Sequence, residues 1–252
     1  MEEKSFSVAV DNLTLRGRWF SGPGAGPKPC VIILHGIPRD KTSDRDESYP
    51  QLARRFAGLG WLAMLFNFRG TGESGGNFQI LGWTRDLAGV VGFALDQLQA
   101  DPSRLAVLGF SGGAATAIYT AAHDERIRAV AALSSPAEFT FLDTELLEWL
   151  QRFREIGLIR DPLFPESVSA WEKEFYEVSP INWVEKLAPR PILIVHGKSD
   201  EVVPVGHADL LFKKANKPKE LLIIEGGHRL KHSPEALDHA VSWLESWKKQ
   251  KN

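Results

Sequence analysis

The seven residues "VLGFSGG" carry the densest chemical signal in the chain, because Ser111 stands between Gly109 and Gly113 in a G-x-S-x-G pattern. The strand-like run "RLAVL" leads into it and the helix-forming "AATAIYTAA" follows. That is the context of a strained strand-to-helix turn, which lifts a serine hydroxyl above the C-terminal edge of a sheet. Small neighbours are needed because the turn leaves no room for side chains, and the helix start behind the serine favours developing negative charge. A serine hydroxyl is a weak nucleophile near neutral pH and needs a base that is itself oriented by an acid. "ILIVHGKSD" ends in Asp200 just past one strand-like run, and "LLIIEGGH" ends in His228 just past the next. Each would lie at the C-terminal end of a strand, on the edge where Ser111 emerges. Ser111 is therefore the candidate nucleophile, His228 the base and Asp200 the acid.

Competing residues have weaker positions. Glu201 is adjacent to Asp200 but offset by one, and Glu138, after the "ALSS" strand, is an outlying candidate for the acid. His35 and His196 sit in H-G turns at strand ends, where shaping a loop is the expected role, and His123, His207, His232 and His239 read as helical or surface positions. A tetrahedral intermediate also needs backbone donors aimed at its oxyanion. Gly112, directly after the nucleophile, supplies one, and the loop "LHGIPRD" supplies the other through the amide of Ile37, with Gly36 allowing a close approach.

A second glycine cluster, Gly70, Gly72 and Gly75 in "FNFRGTGESGG", has the G-x-G-x-x-G spacing of a dinucleotide fingerprint. That fingerprint needs its glycines to open directly into a helix, with an acid about 20 residues further on. Here the next helical pattern starts only near residue 82, and Asp86 and Asp96 fall inside it at the wrong distance. The cluster is read as a tight turn, with Gly70 and Gly72 supplying positive φ.

The elements that must position these residues follow from hydrophobic period. "SFSVAV" and "LTLRGRW", on either side of Asp11-Asn12, alternate as a hairpin. The apolar runs "CVIIL", "WLAMLFNF", "RLAVLGF", "RAVAALSS", "PILIVHG" and "ELLIIEG" read as buried strands. Helical patterns near 48–59, 83–99, 112–122, 204–216 and 234–249 lie between them, so the expectation is one α/β domain with a mainly parallel sheet covered on both faces. Residues 136–188 break this rhythm with Trp149, Trp171, Trp183, Phe139, Phe141, Phe153, Phe164 and Phe175. They predict a helical cap inserted above the sheet edge, against the alternative of a second packing layer with no role in substrate choice. The charged stretch 39–47 is expected on the opposite side of the mouth.

Composition excludes several classes. The 252 residues carry 30 basic and 32 acidic side chains, so no broad positive field for nucleic acid is present. A single cysteine, Cys30, precludes an internal disulfide and reads as a buried structural thiol. The acidic start "MEEK" and the lack of any membrane-length apolar run predict a cytoplasmic protein with no membrane partner. No cluster of His, Cys and carboxylates has metal-ligand spacing. A homodimer is compatible with this composition.

On H-G at 35–36, "RGTGES" at 69–74, "GFSGG" at 109–113, "GKSD" at 197–200 and G-H at 227–228, the chain resembles the α/β-hydrolase fold superfamily over essentially its whole length. Within it, the chain is similar to small bacterial carboxylesterases, including feruloyl esterase-like members, and to the hydrolase domain of serine peptidases. The resemblance implies an eight-stranded, mostly parallel sheet with an antiparallel second strand, Ser111–His228–Asp200 catalysis and no cofactor. It also implies that "RGTGESGG" borders the active-site rim, with Arg69 anchoring the loop. Phe110 and Gly112 depart from a family in which a neighbour of the serine is often polar. No aspartate nucleophile suits dehalogenase or epoxide-hydrolase chemistry, and no propeller-sized domain precedes the sheet. The expectation is a serine hydrolase of small carboxylic esters with short-chain or aromatic acyl groups. A peptidase or amidase, a thioesterase or acyltransferase, and a catalytically silent binding module are the alternatives.

Overall fold

Strand β3, Lys28–Leu34, shows why the sheet must be covered twice. Cys30, Ile32 and Leu34 point into one apolar cluster, while Val31 and Ile33 point into another, as the two-residue period of a strand requires. The first cluster takes α2 (Ile80–Asp96), α3 (Gly112–His123) and α6 (Gly206–Lys214); the second takes α1 (Ser48–Gly58) and α7 (Pro234–Lys248). These features come from a computed structural model that describes residues 1–40, 46–139 and 142–250. Phe141 and residues 41–45 of the charged stretch lie outside the described residues.

The sheet has eight strands in the order β1-β2-β4-β3-β5-β6-β7-β8. The remaining strands are β1 (Glu2–Val10), β2 (Leu13–Ser21), β4 (Leu62–Phe66), β5 (Ala100–Phe110), β6 (Ala129–Leu133), β7 (Ile192–Gly197) and β8 (Lys219–Ile224). Only β2 runs against its neighbours, pairing antiparallel with both β1 and β4. The β1–β2 turn works because Asp11 and Asn12 both accept positive φ, 49° and 62°, matching the strand twist. The fold is that of an α/β hydrolase. After β3 the chain moves to β4 on one side and returns to β5 on the other. A crevice therefore opens at the carboxyl ends of β3 and β5, where open α/β sheets bind ligands.

Between β6 and β7 lie α4 (Leu142–Glu155) and α5 (Val168–Val178). Ser167 starts α5 by accepting a hydrogen bond from the Ala170 amide. The segment is fused to the main core: Phe153, Trp171 and Phe175 are fully buried in the cluster that holds Phe78 and Trp83. The Phe78 ring centre lies 4.8 Å from Phe153 and 6.2 Å from Trp171.

The loop 67–78 is the base of that joint, which explains its glycines. Gly70 has φ 79°, and a Cβ there would sit 2.4 Å from Phe78 N and 2.5 Å from Leu158 O. Phe78 N–H donates to Leu158 O at 2.8 Å, and Arg160 donates to Ser74 O and Gly72 O at 2.7 and 2.8 Å. Arg69 is buried and anchors the loop from below. Its Nη2 donates to Asp86 Oδ1 at 2.7 Å and to Asp11 at 2.9 Å, and its amide donates to Asp86 Oδ2 at 2.8 Å. These glycines turn the chain.

Candidate active site

Pairing brings the chemical residues to one edge. Leu34 of β3 pairs with Gly109 of β5, so the loop after β3 and the turn after β5 leave the sheet side by side. Phe110 pairs with Leu133, and Val195 of β7 lies beside Leu133, which sets the following loops in the same row. Ser111 sits at the turn with φ 53° and ψ −122°, a conformation in which side chains are strained. Its amide donates to Leu133 O at 2.8 Å, and its carbonyl accepts from the Ala114 amide at 2.9 Å. The flanking glycines are obligatory: a Cβ on Gly109 would lie 2.6 Å from Gly113 O, and one on Gly113 2.3 Å from His35 O.

The three residues read as a triad are in contact. His228 Nε2 is 3.0 Å from Ser111 Oγ, and His228 Nδ1 is 2.8 Å from Asp200 Oδ2. Asp200 Oδ1 accepts the amides of Val202 and Val203 at 2.9 and 2.8 Å. Burial alone would raise the Asp200 carboxyl. Hydrogen bonds from His196, His228 and these two amides outweigh it and hold the group well below the usual carboxylate range. Glu138 and Glu201 are exposed and face the same groove without bonding His228.

Beside Ser111 the two amides proposed as oxyanion donors come together. A Cβ on Gly112 would stand 3.5 Å from Ile37 N, an ordinary contact, and 2.7 Å from Ile37 Cγ1, so a larger residue there would have to displace the Ile37 side chain. His35 fixes the peptide between Gly36 and Ile37, because its Nδ1–H donates to Gly36 O at 2.8 Å. In a trans peptide the N–H points opposite the carbonyl, so this bond turns the Ile37 N–H away from His35. The other ring nitrogen, Nε2, is 3.2 Å from Thr71 Oγ1. Burial pushes the His35 imidazole down to about 4, against the opposing effect of the Gly36 bond.

The groove around these groups encloses about 1670 Å³, and its walls include Tyr49, Phe110, Phe139, Trp149 and Phe153. Among the described residues no group of three His, Cys, Asp or Glu side chains is arranged to hold a metal ion, and no helix is long and apolar enough to cross a membrane.

Residues 48–251 match the family model described as the prolyl oligopeptidase family. The chain belongs to that family. Among its relatives, Escherichia coli (strain K12) esterase YjfP is 31% identical over 86% of this chain and 88% of its own length. A Mycobacterium tuberculosis protein, the uncharacterized Rv2307c, is 29% identical over 92% of this chain and 73% of its own. In structure, a Pyrococcus furiosus esterase superposes with a TM-score of 0.72 at 24% identity, covering 98% of this chain and 92% of that one. The chain is thus an α/β hydrolase with esterase relatives.

Several residues of this family member do more than their sequence context indicated. His196, read as a loop-shaping residue, is fully buried beside Asp200, with Nε2 2.8 Å from Val203 O and 3.3 Å from Asp200 Oδ2. Its Nδ1 meets no partner, so the ring proton belongs on Nε2, where it serves the Val203 carbonyl and the carboxylate together. Ser134, with φ 50°, donates its hydroxyl to His228 O at 3.1 Å and so holds the His228 backbone. His207, read as a helical or surface position, accepts the Ala137 amide at 3.0 Å and lines the groove. No local pattern marks any of the three. The charged stretch requires a correction: Arg152 of α4 donates to Arg39 O and Asp40 Oδ1 at 3.0 and 2.9 Å. Residues 39 and 40 therefore adjoin the α4–α5 segment and do not lie across the mouth from it, whereas Asp46 pairs with Lys231 and Glu47 with Arg54.

Proposed function

We propose that the protein is a serine hydrolase of small carboxylic esters, working through an acyl-enzyme on Ser111. The observation that carries this reading is the bridge made by His228, 3.0 Å from Ser111 Oγ and 2.8 Å from Asp200 Oδ2. As Oγ attacks the ester carbonyl carbon, His228 Nε2 takes its proton, and Asp200 holds the imidazole and stabilises its cationic form. The carbonyl oxygen gathers negative charge against the amides of Ile37 and Gly112. Collapse breaks the carbon–oxygen bond to the alcohol, which leaves with the proton from His228. Water then attacks the acyl carbon and gives its proton to His228, and as the bond from that carbon to Oγ breaks His228 passes the proton to Oγ, releasing the acid and free Ser111.

Residues 136–188 act in this reading as a cap within a single α/β-hydrolase domain. The aromatic side chains of Phe139 and Trp149 on the groove wall favour short or aromatic acyl groups. Similarity to esterase YjfP supports the ester, whereas the prolyl oligopeptidase match favours a second reading, a peptidase or amidase using the same residues. Labelling with a fluorophosphonate, followed by a panel of esters, thioesters and aminoacyl amides, separates them. Labelling must vanish in Ser111→Ala, and the panel must favour oxygen esters. Persistent labelling removes Ser111 as nucleophile, and a preference for amides selects the second reading.

A further inference from the structure

Next to the groove, a recess of about 310 Å³ is lined by Arg39, Asp40, Trp149, Arg152 and Arg229. All but Arg152 also line the groove that contains Ser111, so the recess and the groove share a wall. Three arginines and one aspartate therefore line the recess, and the Asp40 carboxylate is engaged by Arg152 at 2.9 Å. Among the described residues no acidic side chain pairs with Arg39 or Arg229. Apart from Asp40, none of the described carboxylates that line the larger groove lines this corner. Asp46 is tied to Lys231 and Glu47 to Arg54, while Glu73, Glu138 and Glu201 line the groove but not the recess. Arg229 directly follows His228, and Arg39 lies two residues beyond Ile37, so the recess flanks the base and the oxyanion loop together.

We propose that this recess is an anion subsite, and that the substrate carries a carboxylate or phosphate group a few bonds from its scissile carbonyl. The inference rests on the Ser111 hydrolase reading for what is cleaved, but not for what is bound. Guanidinium is the group suited to it: it stays charged, and its planar fork donates two parallel hydrogen bonds to a carboxylate or phosphate. Asp40 keeps Arg152 folded over the 39–40 backbone, which leaves Arg39 and Arg229 to meet the ligand. The indole of Trp149 borders both spaces and would cover the short apolar link between the anion and the ester.

The test uses Ser111→Ala protein and three matched methyl esters in low salt, titrated by calorimetry: neutral dimethyl glutarate, monomethyl glutarate and methyl 4-phosphonobutanoate. At least one anionic ester should bind about tenfold tighter than the neutral one, as expected for two partly exposed charge-assisted contacts. The preferred one tells carboxylate from phosphate. The double variant Arg39→Gln/Arg229→Gln should bring that ratio close to one, and added salt should shrink it. Equal affinities, no binding of either anion, or a ratio untouched by the double variant would overturn the subsite. Wild-type turnover is scored separately. A persistent anion preference with no hydrolysis of any ester defeats the hydrolase reading and keeps the subsite, whereas efficient hydrolysis of neutral esters with no anion preference does the reverse.

Discussion

His196 Nε2 stands 3.3 Å from Asp200 Oδ2, the same oxygen that His228 Nδ1 reaches at 2.8 Å. Two imidazoles thus share one carboxylate oxygen, and only one of them faces Ser111. A hydrogen bond to a charged group contributes about 1.5–3 kcal/mol. His196→Leu should therefore lower kcat/KM by roughly tenfold or more, with most of the loss in kcat. It should also move the acid limb of the kcat/KM profile to higher pH, because a less neutralised Asp200 better stabilises the imidazolium. His196→Gln places an amide N–H near the position of Nε2 and should restore both. An unchanged pH limb in the leucine variant would reduce His196 to loop packing.

The identity of the acid has its own test. Asp200→Asn should lower kcat by about 10⁴, the penalty seen when a triad carboxylate becomes an amide. Glu138→Gln should have little effect, because Glu138 is exposed and forms no bond to His228. The reverse order in steady-state kinetics would assign the role to Glu138.

His35 makes folding sensitive to acid. Burial brings its imidazole down from 6.5 to about 4. Below 6.5 the unfolded chain binds a proton that the folded chain refuses, so stability falls as pH drops from 6.5 to about 4 and levels off beneath that. The full loss from this group is at most about 3 kcal/mol, less whatever residual solvent contact provides. Urea melts at pH 7 and pH 4.5 should show the difference, and His35→Asn should remove most of it. Equal slopes in the two proteins would dismiss His35 as its source.

Acyl preference should follow the groove wall. Across p-nitrophenyl esters of increasing chain length, kcat/KM should peak at short or aromatic acyl groups. Trp149→Ala should shift the peak toward longer chains by opening the wall. A wild-type maximum at long chains would contradict the proposed substrate class.

Much of this was legible in the sequence because the determinants are local. A strand, a G-x-S-x-G turn and a helix start are contiguous, and so are the strand ends carrying Asp200 and His228, so the edge that gathers them follows from parallel pairing. The positive φ of Asp11 and Asn12 is likewise a property of two neighbours. What could not be read depends on where distant backbone lands. His196 meets Asp200 and the Val203 carbonyl through the same Nε2 because residues 197–203 fold back against its ring edge. Arg152 is 113 residues from the Arg39 carbonyl it caps, and nothing in an amphipathic helix tells which loop its polar face will meet. The glycine cluster at 70–76 was ambiguous for the same reason: its spacing matches a phosphate cradle, and only Leu158 O and Phe78 N, 2.5 and 2.4 Å from an added Cβ on Gly70, show what it accommodates.

The joint between loop 67–78 and the α4–α5 segment has a bearing on traffic. Swinging that segment aside would expose the rings of Phe78, Phe153, Trp171 and Phe175 to water and break the Phe78–Leu158 bond at once. At roughly 1.5–3 kcal/mol for each large side chain laid bare, such an excursion would be a rare event. The segment is masonry, not a door. Molecules must enter and leave by the standing opening beside it. An enzyme built this way should answer a rising ester concentration with plain saturation, showing no lag and no surge in rate when the ester begins to form micelles.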